Sequence, residues 1–297
     1  MKKPASKNAA ASVHQRLLNV ARETGRPFNE VLQYFAMERL LYRLSSSGHK
    51  DSFVLKGALL FRVWDVPDSR ATRDIDLLAF LDNSPENLAA IFREVCRISG
   101  NDGLVFDPDS VDAQKIKEDA DYEGVRVRCR GLLGKARVTM QIDIGFGDKV
   151  HPNVVQADYP VLLDRPTPSL RMYPQETVVA EKVEAMVYFG SLNSRMKDFY
   201  DVWRLSRQYE FEDSVLREAI KQTFDNRGTD LIPFDELKAE LLGNNVLSMQ
   251  WKAFLEKTGV DGPATFDEVL SVVGDFISPV LEQASKLHNQ AIVDEQD

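Results

Sequence analysis

The chain has 297 residues, 43% of them hydrophobic and 28% charged, which are ordinary proportions for a water-soluble globular protein. It contains no apolar run of the ~18 to 20 residues that a membrane span needs, and "MKKPASKNAAASV" lacks the apolar core of a secretory signal, so a cytoplasmic protein with no membrane partner is expected. A net charge of -9 argues against whole-surface binding to nucleic acid, although the N-terminal stretch is basic and "VRVRCRGLLGKAR" (125 to 137) carries five basic residues and no acid. Such local faces suit an anionic partner docked in one place; the blander alternative is a strand with its outer side in water.

Taken in order, "KNAAAS" reads as a frayed terminus, and "VHQRLLNVARETG" as a helix ending at Gly25. "PFNEVLQYFAMERLLYRLSSSG" reads as a second helix with Asn29 as its N-cap. "FVLKGALLFRVW" is a buried segment, helical from the glycine onward, and "RDIDLLAFL" a strand. "SPENLAAIFREVCRIS" has Ser84 as N-cap and Pro85 at the first helical position. "VRVRCRG" and "KARVTMQIDIGFGD" alternate like paired strands around a "GLLGKA" turn. Beyond a proline-rich connection, helical patterns persist to the end, beginning with "QETVVAEKVEAMVYFG", closed by Gly190, and "NSRMKDFYDVWRLSRQY", opened by Asn193 or Ser194. A boundary near residues 160 to 175 follows, giving a mixed α/β unit at 1–170 and a helical domain at 171–297.

Cys96 and Cys129 have neither metal-knuckle spacing nor the density of a disulfide scaffold, and buried free thiols are the favoured reading. The four histidines are scattered. Zinc and Ser-His hydrolase chemistry are therefore disfavoured.

The carboxylates are more informative. In a strand, Asp74 and Asp76 share the face opposite Ile75 and Leu77, and Asp143 points away from Ile142 and Ile144. If the two strands are neighbours, three carboxylates meet on one edge, an arrangement untenable without cations and suited to hard divalent ions. Magnesium completes its shell with water and substrate phosphates, so the arrangement implies a nucleoside triphosphate and nucleotidyl transfer. Gly57 stands at a helix start, where free N–H groups suit a phosphate. Lys182 lies in an apolar stripe with Val178, Met186 and Phe189, an expensive place for an ammonium unless a triphosphate, or Glu181 or Glu184, pairs with it. A DxD pair by itself also occurs in calcium loops, in nucleotide-sugar glycosyltransferases and as surface charge, and Asp143 alone could cap or face solvent.

These residues, together with "FVLKGALLFRVW", "RATRDIDLL", "QIDIGFGD", "YPQETVVAEKVEAMVYFG", "NSRMKDFYDVWRL" and the preceding "ERLLYRL", resemble the AbiEii/AbiGii toxin family of bacterial nucleotidyltransferases, relatives of the MenT toxins, over roughly residues 12 to 210. The resemblance implies an α+β fold, with a DNA polymerase β-like mixed sheet flanked by helices and followed by an α-helical C-terminal domain. It implies that Asp74 and Asp76 bind two Mg2+ ions, that Asp143 completes the trio, that Lys182 contacts the triphosphate, and that Asp198 is an additional essential acid. Asp201, one turn later, is assigned only a bracing role. Lys56, Gly57, Ala58, Arg70 and Thr72 become phosphate neighbours. Many family members have Gly-Gly or Gly-Ser where this chain has Gly57-Ala58, so no hydroxyl is available there. The implied partners are an NTP, an RNA acceptor at a tRNA 3′ end, and a cognate antitoxin in a toxin-antitoxin or phage-defence system. Transfer to a small molecule or a protein side chain, and a non-catalytic NTP-binding regulator, are the rival expectations.

Overall fold

The computed structural model describes residues 7–66, 70–119 and 122–294. The chain divides into two compact units. The first comprises Met1–Asp65, Ala71–Gly147 and Val155–Met172; the second comprises Val66–Arg70, Asp148–Val154 and Tyr173–Asp297.

The first unit begins with helices α1 (Lys7–Thr24) and α2 (Phe28–Ser45), then β1 (Phe53–Lys56), a 3-10 turn at Gly57–Leu59 and the single-turn α3 (Leu60–Val63). There follow β2 (Asp74–Ala79), α4 (Pro85–Arg97), β3 (Leu104–Asp119), β4 (Tyr122–Leu133), β5 (Ala136–Phe146), β6 (Val155–Asp158) and β7 (Ser169–Met172). The strands form one seven-stranded mixed sheet in the order β3-β4-β5-β2-β1-β7-β6. Only the β2–β5 and β1–β7 pairs are parallel.

Period-two patterning explains how the sheet sits. Ile75 and Leu77 of β2, Val125, Val127 and Cys129 of β4, and Met140, Ile142 and Ile144 of β5 are all buried on one face. Against that face α2 packs on β5, and α4 on β3 and β4. Leu40, Leu41 and Leu44 of α2 surround the same small apolar pocket as Phe92 of α4, Ile75, Leu77 and Ile142. Among the intervening positions, Asp74 and Asp76 of β2, Arg126, Arg128 and Arg130 of β4, and Thr139, Gln141 and Asp143 of β5 carry polar side chains.

Two buried charged residues of α2, Arg43 and Glu38, tie it to its surroundings. Arg43 donates to both oxygens of Asp102 at 2.8 and 3.0 Å, and to the carbonyls of Ile98, Arg39 and Leu104, so all the polarity it brings into the interior is satisfied. Glu38 accepts the Leu162 N–H at 2.8 Å and lies 3.3 Å from the Arg39 guanidinium, with both side chains essentially inaccessible. Cys96 and Cys129 are buried free thiols.

The second unit is helical: α5 (Gln175–Phe189), a 3-10 turn at Gly190–Leu192, α6 (Met196–Gln208), α7 (Asp213–Arg227), α8 (Phe234–Leu241), α9 (Asn245–Thr258) and α10 (Phe266–Asp294). α5 packs on α6 and α7, while α10 touches α6, α7, α8 and α9. Phe199, Tyr200, Trp251 and Phe266 form its aromatic centre, with the Trp251 indole N–H donating to the Pro263 carbonyl at 2.9 Å. Gly228 and Gly259 end α7 and α9 in the left-handed conformation. No described helix is long and apolar enough to cross a membrane.

Several local expectations change. "KNAAAS" is helical from Lys7, because Ala10 is buried as part of the inner face of α1. Pro27, not Asn29, stands at the N-cap of α2. Ser84 does cap α4 by position, but its hydroxyl is turned to Asp82 rather than to the helix N–H groups. "FVLK" is a strand before the chain turns helical. Asn193 accepts the Arg195 N–H at 2.7 Å just ahead of α6 and so shapes the entry without being its cap.

Gly57 turns the chain out of β1 at φ +73°. A Cβ built there would overlap the Asp76 carboxyl group, lying 2.8 Å from its Cγ. Gly57→Ala therefore combines a disfavoured backbone conformation with a clash, and is expected to destabilise the protein by about 1–3 kcal/mol in urea unfolding.

Burial pushes the Glu38 carboxyl up to about 7, against the pull of Arg39 and the Leu162 N–H. Above about pH 4.5 the unfolded chain releases this proton while the native protein keeps it, so the contribution of Glu38 is full below that pH and is lost as pH rises through about 7. Glu38→Gln is expected to flatten that decline, by at most ~3 kcal/mol between pH 5 and 8 in urea midpoints measured across the range.

Candidate active site

β2 lies between β1 and β5, antiparallel to the first and parallel to the second. The register sets Lys56 opposite Asp76, Asp76 opposite Asp143, and Asp143 opposite Arg126 on β4. Directly paired residues share a face, so one row crosses four strands as cation, anion, anion, cation. Asp74 stands two residues back on the same face, opposite Gln141. Lys56 is buried, Asp143 is 9% exposed, and Asp74 and Asp76 are half-buried.

Arg126 holds Asp143 in a fork, its Nε donating to Oδ1 at 2.7 Å and its Nη2 to Oδ2 at 2.8 Å. Gln141 Nε2 adds a longer contact to Oδ2 at 3.4 Å. Beside Asp74 a cavity of about 350 Å3 is lined by Gln33, Arg73, Arg137, Thr139 and Gln141. Gln33 braces it by donating to the carbonyls of Arg73 and Thr139 at 3.1 and 3.2 Å. Thr72 is oriented by its own N–H, which donates to the Tyr34 hydroxyl at 3.0 Å, and Ala58 is buried in the turn after Gly57.

In the second unit, Lys182 projects from α5 toward α6. Its Nζ lies 2.9 Å from Asp198 Oδ1 and 2.7 Å from Asp201 Oδ2. Arg70 forks onto Asp201, donating from Nε at 3.0 Å and Nη2 at 2.8 Å, and Arg195 Nε lies 2.8 Å from Asp198 Oδ2. Asp198 and Asp201 sit one helical turn apart, which is why one ammonium can reach both. Burial works against charge here, yet Asp198 and Asp201 outweigh it and hold the Lys182 ammonium above its usual range. Asp198 is likewise opposed by burial, but Lys182, Arg195 and Lys197 bring it down to about 2. Lys182 and Asp198 are thus both charged at neutral pH.

Lys56, Gly57, Asp74, Asp76 and Asp143 therefore converge on one stretch of sheet, and Arg70, Lys182, Asp198 and Asp201 on one buried cluster. Two expectations are corrected. Lys182 is not an ammonium awaiting an anion, and its partners are not Glu181 or Glu184, which lie at 3.6 and 2.7 Å from Arg227 instead. Asp201 does more than brace a helix, since it is shared between Arg70 and Lys182. Arg126 and Arg195 were missed as site residues; the basic alternation of 125 to 137 was the available signal for Arg126.

Among the described residues, no group of three or more Asp, Glu, His or Cys side chains is arranged to hold a metal ion. At the sheet, both oxygens of Asp143 accept from Arg126. The donor chemistry still fits a hard divalent ion: Asp74 and Asp76 offer carboxylate oxygens from one face, Asp143 is in register with Asp76, and Gly57 lets the backbone approach them where a side chain would intrude.

No functionally curated protein matches this chain. Among solved structures it is similar to JHP933 from Helicobacter pylori, at 16% identity and a TM-score of 0.50, covering 90% of this chain and 98% of that one. A nucleotidyltransferase candidate from H. pylori follows at 17% identity and a TM-score of 0.49, covering 86% and 96%. At such identity the first likeness speaks for a shared fold. The family evidence is separate: residues 39–272 match the family described as "Nucleotidyl transferase AbiEii toxin, Type IV TA system". With the match spanning most of the chain, this protein belongs to the AbiEii family of nucleotidyltransferase toxins, a type IV toxin-antitoxin family whose members take an NTP as substrate and have an antitoxin as partner.

Proposed function

We propose that this nucleotidyltransferase transfers a nucleoside monophosphate from an NTP to an RNA 3′-hydroxyl, with the tRNA 3′ end as acceptor and magnesium as the metal. The observation that carries the reading is the register that aligns Asp76 with Asp143 and puts Asp74 on the same face. Asp74 and Asp76 would hold the ions and Asp143 would complete the set. Bound there, divalent ions supply positive charge to the triphosphate and lower the pKa of the attacking hydroxyl.

The remaining roles fall to the chain. The backbone N–H groups of the turn at Gly57 and Ala58, with Lys56, Arg70 and Thr72, are the proposed neighbours of an approaching phosphate. Lys182, kept charged by Asp198 and Asp201, is the proposed phosphate-neutralising group of the helical part (171–297), with Asp198 setting its position. The RNA acceptor is supported by the solvent side of β4 and β5, where Arg128, Arg130, Lys135 and Arg137 are exposed. A toxin of this kind acts in the cytoplasm, and phage defence is the setting we infer.

The test is transfer of label from each α-labelled NTP, with magnesium, into total bacterial RNA, comparing wild type with Asp76→Asn. Label in a tRNA-sized band with wild type alone is expected, the variant losing on the order of a thousandfold in rate while melting like wild type. Full transfer by Asp76→Asn would sink the assignment of the carboxylates, and label appearing in protein or small molecules instead of RNA would sink the acceptor.

A further inference from the structure

The Arg126–Asp143 fork differs from the buried Arg43–Asp102 fork in the same unit. The side chains of Arg43 and Asp102 are 2% and 0% exposed. Arg126 and Asp143 are 28% and 13% exposed. The first pair is locked in the interior; the second stands at the solvent face of the sheet, where a guanidinium can swing out into water without being stranded.

Asp143 stands between an anion and a cation in the sheet. Its Cα is paired with Asp76 on one side and Arg126 on the other. A divalent ion reaching Asp143 from the Asp76 side would bind its oxygens at roughly 2.1 Å and lie in like-charge contact with a guanidinium still forked onto them. The same two oxygens cannot serve both fully.

We propose that Arg126 is a latch on the third carboxylate: it occupies Asp143 in the cation-free protein and competes with the divalent ion for it. This rests on the reading of Asp74, Asp76 and Asp143 as the metal-holding set. Loading the site then requires the fork to open. An arginine fork matches phosphate oxygens as well as it matches a carboxylate, so a triphosphate arriving with the ion offers Arg126 a new partner and lowers the cost of leaving Asp143. Divalent ion and triphosphate thereby favour each other's binding, with Arg126 as the positioning residue that couples them.

The test is a Mn2+ titration of the full chain, followed by the electron paramagnetic resonance signal of free Mn2+, with no nucleotide or RNA present. Arg126→Met is expected to bind Mn2+ about tenfold more tightly than wild type, because removing the competing charge leaves Asp143 to the ion. Asp143→Asn should bind more weakly than wild type, and adding Arg126→Met to it should recover nothing. Adding a non-hydrolysable nucleoside triphosphate should tighten Mn2+ binding by wild type more than by Arg126→Met. If Arg126→Met fails to fold, Arg126→Lys, which keeps a charge but loses the fork, should still bind Mn2+ about threefold more tightly.

Equal or weaker Mn2+ binding by the folded variant, or the same gain in the Asp143→Asn background, overturns the latch. An absence of Mn2+ binding by every protein overturns the latch and the metal-holding roles together. Failure of the labelling assay is distinguishable, because competition at Asp143 is read without any transfer taking place.

Discussion

The row in which Lys56, Asp76, Asp143 and Arg126 lie side by side on four adjacent strands is the constraint around which the first unit is organised. A one-residue slip of β2 against β5 would turn Asp74 and Asp76 into the interior now filled by Ile75 and Leu77, and expose those apolar side chains in their place. The same burial that stabilises the sheet therefore fixes the carboxylates on its outer face. Two acids at neighbouring positions repel, and a cation at each end of the row limits that cost without any bound ion. The sheet thus folds with its charged row assembled.

In the second unit the same electrostatic problem is met on helices. Lys182, Arg70 and Arg195 surround Asp198 and Asp201, whose side chains are 1% and 0% exposed. Here the acids are buried more completely than in the sheet, and each is bound by two cations, Asp198 by Lys182 and Arg195 and Asp201 by Lys182 and Arg70. Each charged side chain in that cluster is consequently held in place by others, which suits groups whose task is to stay fixed. Arg227, anchored on Asp148 and Glu184 beside Thr229, repeats the pattern at the end of α7.

Much of this was legible from the chain. The alternation in "DIDLL" and "QIDIGF" revealed both strands and the side on which their acids stand, and the long helical stripe closed by Gly190 revealed α5. The strand β3 escaped notice because its alternation breaks around "DPDS", where the register against β4 shifts between Asp107 and Asp112. β6 and β7 are four residues each within a proline-rich stretch, too short for a pattern to emerge. The partners of Lys182 were hidden for a different reason: Asp198 and Asp201 come from the next helix, and pairing between helices leaves no periodic trace.

Arg126 shows where such reading stops. Its basic neighbours were visible, yet its partner depends on the turn at Gly134, whose φ of +62° closes a tight hairpin and pairs Leu133 with Ala136. Counting back from that turn brings Arg126, seven residues before Leu133, opposite Asp143. One residue more in the turn would have set Arg126 against a different neighbour and left Asp143 to other cations. A glycine far from the carboxylates in space thus decides which charge meets them, and the exposure of the resulting pair decides whether that meeting is permanent or exchangeable.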